Sequence, residues 1–196
     1  MVLNASHSLC VNNKSLIYMA LPINIFFNGP PGVGKTALAE HFAKQSKNGA
    51  LINVDEIRHF QKGGICRNPN EKAFVEQKKL AYVNSKCVID NFRKNGIETF
   101  VADLVMTPDI IDAYLGELGQ LENSYHFVLL PDISIAKERN KLRDKWKIME
   151  DDVIEKYYRF AAEISFPTDW IIIDTSNQSL EETAGLVRRR MDSAAI

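Results

Sequence analysis

Gly29-Pro30-Pro31-Gly32-Val33-Gly34-Lys35-Thr36 fits G-x-x-x-x-G-K-[ST] at every fixed position. These residue types suit one chemistry. The glycines allow a backbone turn whose N–H groups point inward at phosphate oxygens, and a following helix adds unpaired amides and the positive end of its dipole. Lys35 supplies a mobile point charge for the β- and γ-phosphates of a nucleotide, and the Thr36 hydroxyl is placed to ligate Mg²⁺. Ala37 completes the nucleotide-binding run. A Gly/Pro turn that bound nothing would need neither the lysine nor the threonine.

The fate of the γ-phosphate depends on residues elsewhere. An apolar run over 50–54 leads into Asp55-Glu56-Ile57-Arg58. Asp55 either faces the γ-phosphate and accepts a proton from a hydroxyl nucleophile, or caps a short helix. Arg58, three residues on and on the same side, holds an anionic acceptor group or a phosphate, or is a solvated surface charge. A second run, Phe100-Val101-Ala102, ends in Asp103, the Walker B pattern. Asp103 there holds a Mg²⁺ water or orients the acceptor, or simply caps the strand end. Thr107 before Pro108 reads as a helix N-cap.

The stretch 137–147 carries six basic residues, Lys137, Arg139, Lys141, Arg143, Lys145 and Lys147, against two acids, for a local net charge of +4. Arg139 and Arg143 stand four apart on a predicted helix and so can aim at one target. Beside a phosphate loop they read as a lid that stabilises the transferring group and excludes water; the alternative is a solvated basic face. The segment 61–79, including Arg67, reads as the acceptor wall. Arg188, Arg189 and Arg190 spread around a helix and read as solvated. His7, His41, His59 and His126 show no metal-ligand spacing.

Alternating elements must position these groups. The pattern predicts a strand over 23–28, a helix over 34–45, a strand over 50–54 and a helix capped by Asn70 with Phe74, Ala81 and Val88 at heptad spacing. Asn95-Gly96 stops that helix. A strand over 98–102, a helix over 108–118, a strand over 127–130 and helices over 133–144 and 151–164 follow. A strand over 170–173 and a final helix opened by a Ser179/Glu182 capping box complete the series. That helix lines up Leu180, Ala184, Val187 and Met191. Strands apolar throughout indicate a sheet covered on both faces, and five of them between helices predict an α/β domain with a largely parallel sheet.

The chain has 196 residues, which suits one domain over 19–196 preceded by an extension over 1–18. It is 45% hydrophobic and 25% charged, close to the globular average, which excludes a fibre or a disordered tail. Lys and Arg total 24 against 25 Asp and Glu, so a general nucleic-acid coat or a polybasic membrane binder is disfavoured. Cys10, Cys66 and Cys87 form no CxxC pair, as expected of free thiols in a reducing, cytoplasmic setting. No apolar run reaches membrane-helix length.

The pattern resembles the small P-loop kinases, the group of chloramphenicol phosphotransferase, the zeta toxins, polynucleotide kinase and gluconate or shikimate kinase. It is similar to bacterial phosphotransferases often labelled AAA-family ATPases in four features. These are the glycine loop, Asp55-Glu56-Ile57-Arg58-His59 with nearby Gly63-Gly64, Asp103 with Thr107-Pro108, and Ile173-Asp174-Thr175-Ser176. The resemblance implies a three-layer P-loop NTPase sandwich with its sheet in 2-3-1-4-5 order and a short lid over about 139–152. It implies Asp55 as base, Arg139 and Arg143 as lid arginines, and an adenine near Thr175 and Asn177. It also implies ATP or GTP with Mg²⁺, and a monomer or homodimer acting on a small hydroxyl-bearing substrate. A polynucleotide or nucleotide kinase, or an ATPase switch with no acceptor, are the alternatives. No second glycine-rich motif follows the third strand, which departs from the shikimate-kinase pattern.

Overall fold

The computed structural model of the chain describes residues 22–105 and 107–194, without the side chains of Trp146 and Ala194. The expected extension over 1–18, with His7 and Cys10, lies outside the described residues, as does the side chain of Trp146. The elements are β1 (Asn24–Asn28), α1 (Lys35–Gln45), β2 (Gly49–Asn53), α2 (Val54–Arg58), α3 (Lys72–Lys94), β3 (Glu98–Ala102) and α4 (Pro108–Glu117). β4 (Ser124–Leu129), α5 (Ile133–Lys141), a 3-10 turn over Lys145–Lys147, α6 (Asp151–Glu163), β5 (Ile171–Ile173) and α7 (Leu180–Ala194) complete the chain.

The five strands form one sheet in the order β2-β3-β1-β4-β5, and every neighbouring pair is parallel. Successive side chains of the fully buried central strand β1 point to opposite faces. Phe26, with Val101 and Val128, packs under α3, α4 and α6 through Tyr82, Ile89, Ile110, Tyr114 and Tyr157. Ile25 and Phe27, with Phe100 and Phe127, pack under α1 and α7 through Leu38, Phe42, Ala184 and Val187. Parallel strands joined through helices bring all carboxyl ends to one edge, where the phosphate loop, Asp55 and Asp103 emerge.

Several expectations shift. β2 ends at Asn53, whose side-chain oxygen accepts from the amides of Asp55 and Glu56 at 3.1 and 3.3 Å, so Asn53 and not Asp55 caps α2. Glu71 rather than Asn70 stands at the N-cap of α3. Val88 is 39% exposed while Ser85 and Ile89 are buried, because a straight helix drifts off a seven-residue repeat. On the outer strands, Leu51 of β2 and Ile172 of β5 stay 39% and 54% exposed, since the helices cover the centre of the sheet better than its edges. Leu180 is exposed at the start of α7, although the Ser179/Glu182 capping box forms, with reciprocal bonds of 2.8 and 3.2 Å. Thr107 sits at the N-cap of α4 but makes no side-chain cap bond.

His126 of β4 is stacked between the rings of Phe26 and Trp170 at 4.7 and 5.2 Å, with the Tyr114 hydroxyl 2.9 Å from its Nδ1. Burial lowers its pKa from 6.5 to about 4, against a weaker upward pull from Asp169. The unfolded chain therefore takes up a proton below about 6.5 that the native protein refuses until about 4. The contribution of His126 to stability is full above that window and is lost as the pH falls through it. Urea unfolding is expected to show roughly 2 kcal/mol less stability at about pH 5 than at about pH 7.5 from this group. A His126→Phe variant that kept the whole acid-dependent slope would refute the assignment.

Candidate active site at the phosphate loop

The loop between β1 and α1 is built for an anion. Gly29, Gly32 and Gly34 have φ of +141°, +82° and +99°, which L side chains rarely adopt. A methyl group on Gly32 would also strike the Ala136 carbonyl, so the loop rests directly on the backbone of α5. Pro30, Pro31 and Val33 are buried and fix the loop from behind, whereas Gly34, Thr36 and Ala37 are exposed. Helix α1 has no side-chain cap and no acidic residue in its first turn, so its amides and dipole favour an anion.

Lys35 Nζ donates to the Pro30 carbonyl at 2.7 Å, which folds the side chain back across the loop. Burial lowers its pKa to about 8; Asp55 and Asp103 pull it up, while Arg143 and Lys78 push it down. A bound polyphosphate would raise it again. At about pH 8 nucleotide binding is thus expected to take up roughly half a proton, and almost none at about pH 6.5, where Lys35 already carries its charge. Calorimetry in two buffers of different ionisation enthalpy reads this directly. Equal heats in both buffers at about pH 8 would exclude it.

Asp55 lies in the first turn of α2 with its side chain 37% exposed. Lys78 Nζ stands 3.4 Å and Arg58 Nε 3.6 Å from its Oδ1. Burial pushes the Asp55 carboxyl up, but Lys78, Arg58 and Lys35 together hold it below the usual carboxylate range. The structure thus keeps an ionised carboxylate in the electrostatic reach of the phosphate-loop lysine.

Arg58 is not a solvated charge. It is 8% exposed, donates to the Cys66 carbonyl at 2.9 Å, and lies 4.7 Å over the Phe74 ring. Its guanidinium is therefore engaged in fixing the 59–71 loop and Asp55. Arg67, on that loop, is exposed, and its charge joins those of Arg58 and Lys62 in holding His59 below its ordinary pKa, after burial itself.

Asp103, at the carboxyl end of β3, is 3% exposed and ion-pairs with Lys78 through Oδ1; its Oδ2 is buried without a hydrogen-bond partner. The exposed Thr36 hydroxyl and the Asp103 carboxylate are hard oxygen donors of the kind Mg²⁺ takes, one or two from the protein besides phosphates. Among the described residues no three His, Cys, Asp or Glu side chains gather to hold a metal by themselves.

The two lid arginines part company. Helix α5 ends at Lys141, so Arg143 lies beyond it and does not share a helix face with Arg139, contrary to the reading of 133–144 as one helix. Arg139 donates to Thr175 Oγ1 at 3.0 Å, to the Thr175 carbonyl at 2.8 Å and to the Gln178 carbonyl at 3.2 Å, on the loop after β5. Thr175 is 2% exposed and Asn177 exposed. Arg143 reaches Asn140 Oδ1 at 3.4 Å, and its charge acts on Lys35. Asn140, 1% exposed, clasps Met149 with bonds of 2.8 and 3.2 Å and so closes the loop 141–148 at its base.

Lys78 falls within the segment 61–79 read as the acceptor wall without being singled out, and Tyr157 had no assigned role. Tyr157 of α6 is pushed up to about 12 by burial and then by the charge of Asp55, which puts it in the carboxylate's reach. Lys78 did leave a signal, since it interrupts the apolar stripe Phe74, Lys78, Tyr82 at fourth-residue spacing.

The chain is similar to an unliganded sugar kinase from Janibacter sp. HTCC2649, with a TM-score of 0.65 and 14% identity over 87% of this chain and 95% of that one. It is similar to the tunicamycin resistance protein of Deinococcus radiodurans, at 0.60 and 13% over 87% and 96% of the two chains. A gluconokinase from Sinorhizobium meliloti 1021 gives 0.55 and 16% over 89% and 97%. At such identities the likeness is one of fold: an α/β P-loop NTPase-like fold with strand order 2-3-1-4-5. No family model and no curated protein matches the sequence.

Proposed function

We propose that the protein is a phosphotransferase that moves the γ-phosphate of ATP, or of GTP, to a hydroxyl of a small molecule. The observation that carries this reading is Asp55, an ionised carboxylate within the electrostatic reach of Lys35 at the mouth of an anion-binding loop. The sugar kinase and gluconokinase of the same fold support it.

In this reading the loop amides from Gly29 to Ala37, Lys35 and Thr36 hold the phosphates. Thr36 and Asp103 would hold Mg²⁺, which would neutralise phosphate charge. The acceptor oxygen bonds to the γ-phosphorus as the bond to the β–γ bridging oxygen breaks, and the hydroxyl proton passes to Asp55. Arg143 stabilises charge on the transferring group, and Arg139 with Thr175 and Asn177 forms the base side. Arg58 and Arg67 border the acceptor. Residues 19–196 form one kinase domain with its lid over about 139–152, working as a monomer or homodimer in the cytoplasm. No helix of the described residues is long and apolar enough to cross a membrane.

The test is an ATP-consumption screen over sugars, nucleosides, aminoglycosides and other hydroxyl antibiotics. A product heavier by one phosphoryl group is expected, and ATP loss independent of every acceptor would overturn the reading. A nucleic-acid end as acceptor is favoured by one observation: the segment 59–70 holds the exposed Lys62 and Arg67 and no acid. Steep salt dependence of oligonucleotide binding would select it.

A further inference from the structure

A lysine in the middle of a buried helix stripe needs a reason. Lys78 has no exposed surface, lies between Phe74 and Tyr82 on the inner face of α3, and stands 5.1 Å from the Tyr82 ring centre. An unpaired ammonium there would be strongly unfavourable, and it is retained because it meets two carboxylates. One is Asp103, from the end of β3; the other is Asp55, from α2. Asp103 alone would anchor α3 to the sheet. The second contact, to a carboxylate that is 37% exposed, adds little to the core.

Among the described residues, both cations in contact with Asp55, Lys78 and Arg58, approach the same oxygen, Oδ1. Both pulls fall on Oδ1 of a carboxylate that is 37% exposed, which leaves Oδ2 with no cation of its own. We propose that Lys78 is a positioning residue for phosphotransfer: it fixes the Asp55 carboxylate through Oδ1 so that Oδ2 is the atom that takes the acceptor's proton. This rests on Asp55 being the base. Lysine suits the post because its single ammonium reaches both carboxylates at once, which a planar guanidinium of greater bulk would do only by displacing α3.

The groups that face Asp55 are Lys35 from α1, Arg58 from α2, His59 just after it, Lys78 and Tyr82 from α3 and Tyr157 from α6, with Asp103 behind Lys78. Removing Lys78 deletes the strongest of the attractive charges on Asp55. The variant Lys78→Met keeps length and removes charge. With the acceptor found by the screen, its turnover is expected to fall about 30-fold with the KM for ATP within about twofold of wild type, and the acid limb of kcat/KM to move up by about one pH unit.

Because Lys78→Met leaves Asp103 buried without its partner, the double variant Lys78→Met, Asp103→Asn is the companion. Carbon NMR of the Asp55 carboxyl is followed against pH in the full chain without nucleotide, and a rise of about one unit is expected in both variants. An unmoved Asp55 titration in the double variant would reduce Lys78 to an anchor for α3 and overturn the inference. If instead the titration moves, while the wild-type protein phosphorylates no acceptor, the hold of Lys78 on Asp55 stands and the phosphotransfer reading is what fails.

Discussion

Asp55→Asn is expected to bind ATP as wild type does and to transfer phosphate about 10²- to 10⁴-fold more slowly, the usual worth of a positioned general base. The substitution is close to isosteric and leaves an oxygen for Lys78 and Arg58 to approach. It does not uncap α2, because Asn53 provides that bond. Nor does it strand the neighbouring cations, since Lys78 keeps Asp103 and Arg58 keeps the Cys66 carbonyl. Folding and nucleotide affinity, read by thermal unfolding and calorimetry, therefore remain while turnover collapses. The pH profile adds a second check. Asp55 is held below the carboxylate range, so it stays ionised throughout the neutral region. An acid limb in that region belongs to another group, whereas the limb due to Asp55 appears only as the pH falls through its depressed pKa. Full transfer by a variant that binds ATP would remove Asp55 from the mechanism.

Arg143→Ala and Arg139→Ala are expected to fail in different ways. Arg143 lies past the end of α5 and acts on Lys35, and burial lowers its pKa from the ordinary value. Removing a preorganised donor to a developing anion costs about 10²- to 10³-fold in turnover. Arg139 is bonded three times to the loop carrying Thr175 and Gln178. Its loss loosens the base side of the nucleotide site, which is expected to raise the KM for ATP about tenfold and leave turnover nearly unchanged. Steady-state kinetics of the two single variants separate these outcomes. Equal losses of turnover would mean that both arginines close on one target despite the helix stop between them.

That helix stop shows what the sequence could not convey. Residues 133–144 carry no glycine or proline, so nothing local ends the helix at Lys141. The stop comes from Asn140, whose side chain is drawn inward to clasp Met149 across the lid, a tertiary contact. The phosphate loop was legible because the residue types that dictate its backbone stand consecutively in the chain. Asp55 and Asp103 were legible as strand-end acids, although the short-range alternative, Asp55 as cap, failed by two residues when Asn53 took that place. Lys78 lay hidden for a different reason. Its partners are 23 and 25 residues away on either side, and only the packing of α3 across the sheet brings the three charges together. A charged residue breaking an apolar stripe was the one visible trace.

The rest of Gly32 against the Ala136 carbonyl also limits movement. The two backbones are in direct contact there, so α5 cannot come closer to the loop than it already is. Residues 141–148 lie beyond that contact as a short loop tied off at its base by the Asn140–Met149 clasp. The length of that tether, rather than the helix, sets how far the Arg143 guanidinium can travel.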